Sequence, residues 1–468
     1  MKLYRNAIIL VVIVALLVGA YFVVSRNKAT DNTSEPSSTT SIKLVDYTTD
    51  KIDSVTLQNP DGEFVITQKG TEWVLSSPTD IKADPSILSS IAINAASISA
   101  DKTVEENAQD LSMYGLNNPV VVKLKLKDGT GKSLEIGDMT PTKSGYYVKA
   151  TGENKVYVVS TYTCDPLVTK RNGLRSKDLF GITSDIINKL SMDRKGVNVF
   201  ASAVNAKASG SWDILEPVKG KANSTAIQPM LEALAGTKIN EFIEDKPADL
   251  SKYGLDKPSY VLDFGTTTAG AFKLLLGDEK TKGSETYAKL EGKDEVFTID
   301  STAYVFLDKP IKEIVDVFTY IVNIDQVKRI DLTMDGKTDT MNLDVYKDAK
   351  GAGDADKDKF TFNGKDATGK NADDKQPFRN LYQDLVGIGL DEIDLSGAKP
   401  VDNPEITIKY TLLDGSTMQI DYTSKDANYY YAFRNGEYTK ILVKKDKTSF
   451  GVTQLKESYK ALVDFLAK

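Results

Sequence analysis

The sequence predicts an α+β protein in which an N-terminal transmembrane helix precedes three tandem, mainly antiparallel repeats. An uncharged apolar run at residues 7–24 predicts the transmembrane helix. A ten-residue phrase, DLSMYGLNNP at Asp110–Pro119, returns 139 positions later as DLSKYGLDKP at Asp249–Pro258, which indicates repetition. Short segments of alternating apolar and polar residues, separated by turns such as Asp128-Gly129, are typical of antiparallel strands.

The apolar run is long enough to cross a bilayer. Its residues, at about 1.5 Å each, would form a helix of roughly 27 Å, close to the thickness of a hydrocarbon core. Lys2 and Arg5 precede the run, and Arg26 and Lys28 follow it. A cleaved signal peptide is the alternative, and Gly19-Ala20 could serve as its cleavage site. The apolar run, however, continues beyond these small residues to Val24. We therefore expect an uncleaved anchor.

This anchor predicts the location of the rest of the chain. The short, basic N-terminus favours a cytoplasmic position for residues 1–6, with the bulk of the chain outside the cytoplasmic membrane. Residues 25–42 are rich in Ser and Thr and are predicted to be a flexible linker. The expected protein is a single-pass protein of the cytoplasmic membrane.

Composition narrows the chemistry that the chain can perform. The 468 residues include no histidine, so Ser-His-Asp catalysis, Cys-His catalysis and histidine metal sites are excluded. Cys164 is the single cysteine, so no intramolecular disulfide can form, and we expect a buried apolar side chain. Residues 1–28 hold four basic and no acidic residues, which leaves a net charge of −11 beyond them. A nucleic-acid partner is therefore not expected.

Both tryptophans of the chain belong to the repeat. Trp73–Pro78 (WVLSSP) aligns with Trp212–Pro217 (WDILEP) at the same spacing of 139 residues. Leu134–Asp138 (LEIGD) aligns with Leu274–Asp278 (LLLGD) at a spacing of 140 residues. A drift of one residue over this distance indicates an internal duplication.

A third and more divergent copy is predicted at the C-terminal end. Asp325–Leu332 resembles Asp50–Leu57, and Asn403–Gly415 resembles Asn118–Gly129. This copy has no tryptophan and keeps only Asp-Leu-Ser of the phrase, at 394–396. The predicted boundaries are residues 43–180 for repeat 1, 181–320 for repeat 2 and 321–468 for repeat 3.

Each repeat is predicted to place one helix between two groups of strands. In repeat 1, Asp84-Pro85 combines a helix N-cap with a proline at the first helical position. Strands are expected at Ser54–Leu57, Glu63–Gln68, Thr71–Leu75, Val120–Lys127, Ser133–Ile136, Tyr146–Ala150 and Lys155–Ser160. The apolar stripes of the three helices are Ile87, Leu88, Ile91, Ala95 and Ile98; Ile227, Met230, Leu231 and Leu234; and Phe378, Leu381, Tyr382 and Leu385. A further helix, Val452–Leu466, is expected to end the chain.

The repeated phrase has the residue types of a structural joint. Glycine permits a positive φ at a sharp exit, proline starts the next strand, and tyrosine buries a ring while its hydroxyl makes a hydrogen bond. Each tryptophan is expected to end a hairpin that packs on the helix. The predicted structural residues are Trp73, Pro78, Tyr114, Gly115 and Pro119 in repeat 1 and Trp212, Pro217, Tyr253, Gly254 and Pro258 in repeat 2. The alternative is a pair of ligand pockets built around Trp and Tyr.

One acidic segment matches part of a calcium loop. Asp354, Asp356 and Asp358 occupy positions 1, 3 and 5 of the pattern, but Lys359 and Lys365 replace its glycine and glutamate. We expect a solvated loop, and we predict neither a metal nor a cofactor.

An aromatic segment, Tyr429–Phe433, is the remaining candidate for ligand binding. Such a cluster could bind a sugar, but side chains on a strand alternate between faces, so about half should lie in the core. We favour strand packing.

These repeated features resemble the bacterial family known as domain of unknown function 4340. The resemblance is carried by the Trp73–Pro78 segment, the capped helix, Asp110–Pro119, Ile136-Gly137 and Tyr147, with their counterparts in repeat 2. It implies one N-terminal membrane segment and a gene neighbourhood with transporters that have an ATP-binding cassette. The family supplies no catalytic residues.

The expected function is therefore that of a non-enzymatic, membrane-anchored module outside the cytoplasm. An accessory subunit of an ABC-type transporter complex is the first hypothesis, with integral-membrane transporter proteins as partners. A cell-envelope scaffold or glycan-binding protein is the second, and a carboxylate-based hydrolase is the third. No small-molecule ligand can be named from the sequence.

Overall fold

A computed structural model describes residues 42–206, 210–316, 318, 320–400 and 402–468. The predicted anchor at residues 7–24, the residues before it and all but the last residue of the predicted linker lie outside this part of the chain. Within it, no helix combines the length and the apolar character needed to cross a membrane.

The chain divides into two compact units between Ser176 and Lys177. Unit 1 begins with the first described residue and contains ten strands and three helices among its described residues. The strands are β1 (Ile42–Asp46), β2 (Ile52–Asn59), β3 (Gly62–Lys69), β4 (Glu72–Ser77), β5 (Ser97–Ala100), β6 (Lys102–Glu105), β7 (Val120–Leu126), β8 (Gly131–Met139), β9 (Gly145–Ala150) and β10 (Val156–Ser160). The helices are α1 (Pro85–Ala96), α2 (Thr161–Cys164) and α3 (Arg171–Leu174).

Unit 2 contains the remaining strands and helices, and they form two successive groups. The first group is β11 (Ile187–Arg194), β12 (Val197–Val204), β13 (Trp212–Glu216), β14 (Gly220–Lys221), α4 (Ser224–Ala235), β15 (Ile239–Glu244), β16 (Tyr260–Thr266), β17 (Ala271–Thr281), β18 (Glu285–Leu290), β19 (Val296–Asp300) and α5 (Ile311–Ile314). The second group is β20 (Val327–Met334), β21 (Lys337–Asp344), β22 (Lys359–Phe362), β23 (Lys365–Asp366), α6 (Pro377–Val386), β24 (Glu392–Ile393), β25 (Ile406–Leu412), β26 (Thr417–Ser424), β27 (Tyr429–Arg434), β28 (Glu437–Lys444) and α7 (Val452–Leu466).

Three large sheets share one strand order. Sheet 1 runs β4-β3-β2-β7-β8-β9-β10-β6. Sheet 2 runs β14-β13-β12-β11-β16-β17-β18-β19-β15, and sheet 3 runs β23-β22-β21-β20-β25-β26-β27-β28-β24, so each repeats the order of sheet 1 with one short strand added at the edge. Neighbouring strands pair antiparallel, as β2 does with β7, β11 with β16 and β20 with β25. The predicted mainly antiparallel α+β fold is therefore confirmed, with its sheet repeated, and each sheet lies inside one predicted repeat.

The helices α1, α4 and α6 pack against sheets 1, 2 and 3, respectively, and α7 also packs in the core of sheet 3. The sequence explains where α1 and α4 begin. The Asp84 carboxylate accepts a hydrogen bond from the backbone N–H of Ser86 at 2.8 Å, and Pro85 is the first helical residue of α1. Asn223 caps α4 in the same way through the N–H of Thr225 at 3.1 Å. The predicted helix start in repeat 1 is therefore confirmed, and the helix of repeat 2 begins in the same way.

The helices bury most of the predicted apolar stripes, but Ile87 of α1 is only partly buried and Ile98 lies outside the helix. Buried residues include Leu88, Ile91 and Ala95 of α1 and every predicted position of α4 and α6. Ile98 is also buried, but it lies in strand β5 rather than in the helix, because α1 ends at Ala96. Helical periodicity continued by chance into the next strand, where residue 98 points to the same core.

The last helix of unit 1 contacts the start of α1, and the last helix of the first group in unit 2 contacts the start of α4 in the same way. The backbone N–H of Asp84 donates to the carbonyl of Leu174 in α3 at 2.8 Å. At the equivalent place in sheet 2, Asn223 donates to the carbonyl of Ile314 in α5 at 2.7 Å. The two repeats therefore share this closing contact as well as their strand order.

Cys164 lies at the end of α2 in the core of unit 1 and is fully buried, as expected from the sequence. Burial raises the pKa of its thiol to about 12, so the reactive thiolate is scarce at neutral pH.

We expect the Cys164 thiol to be unreactive towards a disulfide reagent such as dithionitrobenzoate while the protein is folded. It should react at the rate of a small free thiol in strong urea. Full modification of the folded protein within minutes would contradict the buried position.

Candidate functional site

The repeated phrase forms the same short joint in both units. In unit 1, residues Leu111–Tyr114 form a turn of 3₁₀ helix, which Gly115 ends with a φ of 66°. In unit 2, Ser251–Tyr253 form the corresponding turn, and Gly254 ends it with a φ of 65°. This left-handed conformation is one that residues with a side chain seldom adopt, which accounts for glycine at both positions.

The joint tyrosines tie the turn to the edge strand of each sheet. The hydroxyl of Tyr114 donates to Glu105 of β6, and that of Tyr253 donates to Glu244 of β15, each at 2.7 Å. The ring of Tyr114 lies 4.9 Å from the ring of Tyr147, and the equivalent distance in unit 2 is 5.0 Å. Each tyrosine therefore joins the turn to two strands of its own sheet.

Lys252 adds a charge to this arrangement in unit 2. Its ammonium donates to Glu244 at 2.6 Å. The hydrogen bonds from Lys252 and Tyr253 hold the pKa of Glu244 below its usual value. The glutamate is thus an ionised partner of the joint rather than a candidate proton donor.

A second repeated motif, which the sequence analysis aligned without assigning a role, packs against the joint. A Cβ added to Gly137 would lie 2.1 Å from the Tyr114 carbonyl oxygen, and one added to Gly277 would lie 2.0 Å from the Tyr253 carbonyl oxygen. The contact is reciprocal, because a Cβ on Gly115 would lie 2.4 Å from the Asp138 carboxyl carbon. The Gly-Asp pair of this motif, Gly137-Asp138 in repeat 1 and Gly277-Asp278 in repeat 2, therefore supplies the close backbone approach on which the joint rests.

The predicted prolines and tryptophans lie at strand ends. Pro119 directly precedes β7, and Pro258 lies two residues before β16. Pro78 and Pro217 follow β4 and β13, each after a cis peptide bond.

The two tryptophans differ in their exposure. Trp73 is only 6% exposed and packs in the core of unit 1. Trp212 is partly exposed and only borders the core of sheet 2. The structure thus brings the tyrosines and glycines of the phrase together in the joints and places each tryptophan elsewhere, on a strand.

The caps of the two joints predict how stability depends on pH. The Asp110 carboxylate accepts hydrogen bonds from the hydroxyl and the backbone N–H of Ser112. The Asp249 carboxylate accepts the same two hydrogen bonds from Ser251. These bonds lower the pKa of both aspartates. Because the pKa is lower in the folded state than in the unfolded state, the carboxylates stabilise the fold above about pH 4. This contribution is lost as the pH falls further, through the folded-state pKa.

We therefore expect the urea midpoint to fall between pH 5 and pH 3. The double variant Asp110→Asn and Asp249→Asn is the control, because asparagine caps a turn and does not titrate there. Its midpoint should fall less steeply over the same range, and identical slopes for the two proteins would contradict this assignment.

The divergent joint of repeat 3 uses a different tyrosine. Asp394 accepts a hydrogen bond from the backbone N–H of Ser396 at 3.1 Å, as in the other two copies. Tyr438, which belongs to β28 and not to the phrase, donates its hydroxyl to Asp394 at 2.8 Å. The shortened phrase therefore keeps the hydrogen bond between its aspartate and serine but does not form a 3₁₀ turn. Its tyrosine contact also differs, because Tyr438 binds the aspartate of the phrase rather than a glutamate of the edge strand.

The acidic segment does not gather its carboxylates. Asp354 caps a short 3₁₀ turn, while Asp358 is buried, forms an ion pair with Arg379 and accepts from the backbone N–H of Tyr346. In the part of the chain that the structure describes, no three acidic or cysteine side chains are grouped so that they could hold a metal ion.

The aromatic segment divides between two faces of β27. Tyr430 is buried in the core of sheet 3 and donates its hydroxyl to Glu405 at 3.0 Å. Tyr429 and Tyr431 lie on the other face, where the ammonium of Lys425 approaches both rings to about 6 Å.

A cleft of about 560 Å³ separates sheet 2 from sheet 3 within unit 2. One wall comes from β12, from the end of β13 and from the residues that follow it, and the other comes from the β27–β28 hairpin. The lining residues are Asn198, Leu215, Glu216, Pro217 and Lys219 on the first wall and Arg434, Glu437, Tyr438, Thr439 and Lys440 on the second. The sequence carries no local signal for this cleft, because its walls are more than 200 residues apart in the chain.

Two cations of the second wall hold the cleft together. The Lys440 ammonium donates to the carbonyl of Pro217 at 2.6 Å, and the Arg434 guanidinium donates to the carbonyl of Lys219 at 3.2 Å. Lys440 also has a φ of 63°, which is uncommon for a residue with a side chain. A hydrogen bond to a carbonyl oxygen leaves the charge of a cation in place. The lining therefore combines the cations Lys219, Arg434 and Lys440 with the acids Glu216 and Glu437, and it is polar and mixed in charge rather than acidic.

Leu215 is the apolar part of this surface. Its side chain lies in the lining and is 49% exposed. The volume falls in the range of about 300–1,000 Å³ that small-ligand and side-chain pockets occupy. The cleft can thus receive an apolar side chain that lies beside polar or charged groups.

The comparisons with known proteins identify a family. The family described as "Domain of unknown function (DUF4340)" matches residues 73–209 and 212–393, which together span more than half of the chain. No curated protein matches the sequence, and no solved structure matches it.

Proposed function

We propose that this chain, which belongs to the DUF4340 family, is a non-enzymatic, membrane-anchored module that binds an integral-membrane partner outside the cytoplasm. The proposed partner is an ABC-type transporter complex, for which the chain would be an accessory subunit. The observation that carries the binding role is the cleft between sheets 2 and 3.

The proposed anchor is supported by the apolar run at residues 7–24 and by its basic flanks. The Ser/Thr-rich linker that follows would give the folded units some freedom above the membrane surface. A tethered module stays close to any membrane partner, which raises its effective concentration and allows a weak contact to suffice.

The chemistry of the cleft favours a protein partner of defined type. Both charge signs line the cleft, with Lys219, Arg434 and Lys440 against Glu216 and Glu437, and the exposed Leu215 offers apolar contact beside them. A loop of a membrane protein that carries an apolar residue flanked by charged or polar side chains would satisfy both.

The transporter is proposed from the family resemblance. The resemblance to this family implies a gene neighbourhood with transporters that have an ATP-binding cassette, and an anchored, repeated binding module would suit an accessory subunit. The recurrent Trp, Tyr and Gly residues would then stabilise the fold of each repeat, and the binding surface would differ between repeats.

Copurification tests the proposal. Intact cells are crosslinked, the full chain is purified through a C-terminal tag in mild detergent, and the recovered proteins are identified by mass spectrometry. A tagged chain that ends at residue 42 is the control for capture by the anchor alone. We expect a permease and its ATPase with the full chain only. Recovery of the chain alone, or with wall fragments only, would contradict the proposal.

A further inference from the structure

A cavity of about 690 Å³ lies in the sheet 2 part of unit 2. Its lining comes from strands β16 to β19, from the turns beside them and from the 3₁₀ segment Ser301–Asp308 that follows β19. The volume lies within the range of small-molecule sites. This cavity is distinct from the cleft described above, and no residue lines both.

The cavity coincides with a substitution specific to repeat 2. The second residue of β9 in repeat 1 is Tyr146, and the second residue of β27 in repeat 3 is Tyr430. The strand at the same place in the shared order is β18, and its second residue is Thr286. Both tyrosine rings pack with the core of their own sheet, whereas Thr286 is only 8% exposed and lines the cavity. Repeat 2 therefore lacks a ring that the other two repeats supply themselves.

The partners of the two tyrosine hydroxyls are also replaced. In repeat 1 the hydroxyl donates at 2.9 Å to Asp165, the fifth residue after β10, and the fifth residue after β19 is Val305. In repeat 3 the hydroxyl donates to Glu405, which directly precedes β25, and the residue that directly precedes β16 is Ser259. Val305 and Ser259 both line the cavity. The cavity thus takes the place of a tyrosine side chain and of its hydrogen-bond partners.

Hydroxyl groups of the lining are left without partners. The Ser301 Oγ atom is buried and has no hydrogen-bond partner, and the hydroxyls of Thr286 and Ser259 have none among the residues that the structure describes. Space left by replacing a large side chain with a small one can bind an aromatic molecule. A phenol would supply a ring for this space and a hydroxyl for these polar groups.

Two charged side chains narrow the class of ligand. Asp278 and Lys195 are exposed residues of the lining, and within the described part of the chain neither side chain makes a hydrogen bond or an ion pair. The other charged residues of the lining, Glu279 and Asp308, already accept hydrogen bonds. A free amino acid carries an ammonium and a carboxylate that can pair with the first two side chains, whereas a tyrosine inside a protein chain carries neither.

We propose that this cavity binds a free phenolic amino acid, of which tyrosine is the simplest. The ring of the ligand would occupy the space that Tyr146 and Tyr430 fill in the other repeats, and its charged groups would pair with Asp278 and Lys195. This inference goes beyond the proposed partner contact and does not depend on it.

A ligand series on the unchanged protein tests the assignment. The full chain in detergent micelles is titrated with tyrosine, with phenylalanine and with N-acetyltyrosine amide, up to millimolar concentrations, and calorimetry measures the affinity. We expect saturable binding of tyrosine. Phenylalanine lacks the hydroxyl and the amide lacks both charges, so each should bind about tenfold more weakly or worse. Absence of saturable tyrosine binding would overturn the proposal. Equal or tighter binding of the amide would also overturn it, in favour of a tyrosine of a partner protein.

Matched variants locate the site. Thr286→Tyr supplies the ring of the other repeats and should weaken tyrosine binding by about tenfold or more. Thr286→Ser keeps both the space and a hydroxyl, so its affinity should be unchanged. The double change Thr286→Tyr with Val305→Asp supplies the ring and its repeat 1 partner, and it makes the same test if the single variant does not fold. Unchanged affinity in a folded variant that carries the added ring would overturn the proposal, and the ligand series decides it if neither variant folds.

Discussion

Replacing Gly277 by alanine is expected to destabilise unit 2 by about 3–5 kcal/mol, which is at the severe end of single substitutions. The added methyl group would lie 2.0 Å from the backbone carbonyl oxygen of Tyr253, and a backbone atom cannot rotate away as a flexible side chain can. Gly137→Ala meets the Tyr114 carbonyl oxygen at 2.1 Å and should act similarly in unit 1. Urea unfolding of each variant measures the effect.

Gly115→Ala and Gly254→Ala test the other side of the same contact. Each glycine has a positive φ. A Cβ added to Gly115 would lie 2.4 Å from the carboxyl carbon of Asp138, and one added to Gly254 would lie 2.6 Å from that of Asp278. We expect a loss of about 2–4 kcal/mol for each variant.

The chain offers matched controls for these glycines. Gly152 in unit 1 and Gly292 in unit 2 also have positive φ, at 84° and 76°, but an added Cβ would meet no atom within 4 Å. Alanine at these positions should cost only about 1–2 kcal/mol, from the backbone conformation alone. Equal stability losses for alanine at Gly277 and at Gly292 would show that the close backbone contact does not stabilise the joint. Unchanged stability of the Gly115 and Gly254 variants would contradict the structural role of the phrase.

Deletion of residues 7–24 is expected to move nearly all of the protein from the membrane fraction to the soluble fraction. The run is uncharged and long enough to cross the hydrocarbon core, so its removal takes away the proposed anchor. Fractionation with a carbonate wash, followed by detection of a C-terminal tag, measures the distribution.

Deletion of residues 29–41 is the control, because it removes a stretch of polar linker and leaves the apolar run intact. This variant should stay in the membrane fraction, and the mass of the mature chain should show an uncleaved N-terminus. A full-length protein that is already soluble, or that loses its N-terminal residues during export, would contradict the anchor.

Local signals predicted the parts of the fold that depend on local physics. Asp84-Pro85 marked the start of α1 because capping and proline geometry act within a few residues. Helical periodicity predicted the apolar stripes of α4 and α6. The role of Gly115 was predicted from the positive φ that glycine adopts more readily than other residues. Ile98 was placed wrongly because periodicity cannot show where a helix gives way to a buried strand.

Contacts between distant segments could not be predicted in this way. The alignment of Gly137 with Gly277 shows that the glycine is repeated but not that it touches the turn of the repeated phrase. The two glycines of each contact, Gly115 with Gly137 and Gly254 with Gly277, are more than 20 positions apart in the chain. The pairing of Tyr438 with Asp394 depends on the register of β28, and the cleft depends on how two sheets of unit 2 meet. The difference in exposure between Trp73 and Trp212 also arises from their three-dimensional surroundings rather than from the motif that they share.

Site-specific photocrosslinking tests the proposed partner contact most directly. A photoreactive amino acid replaces Leu215 in the cleft, and in a second strain it replaces Val305, which is 78% exposed in the same unit but does not line the cleft. After illumination of intact cells, we predict that position 215 forms an adduct with a transporter permease and that position 305 does not. Equal adducts at both positions, or none at position 215 while the protein is present in the membrane, would contradict the proposal that this cleft binds a membrane partner.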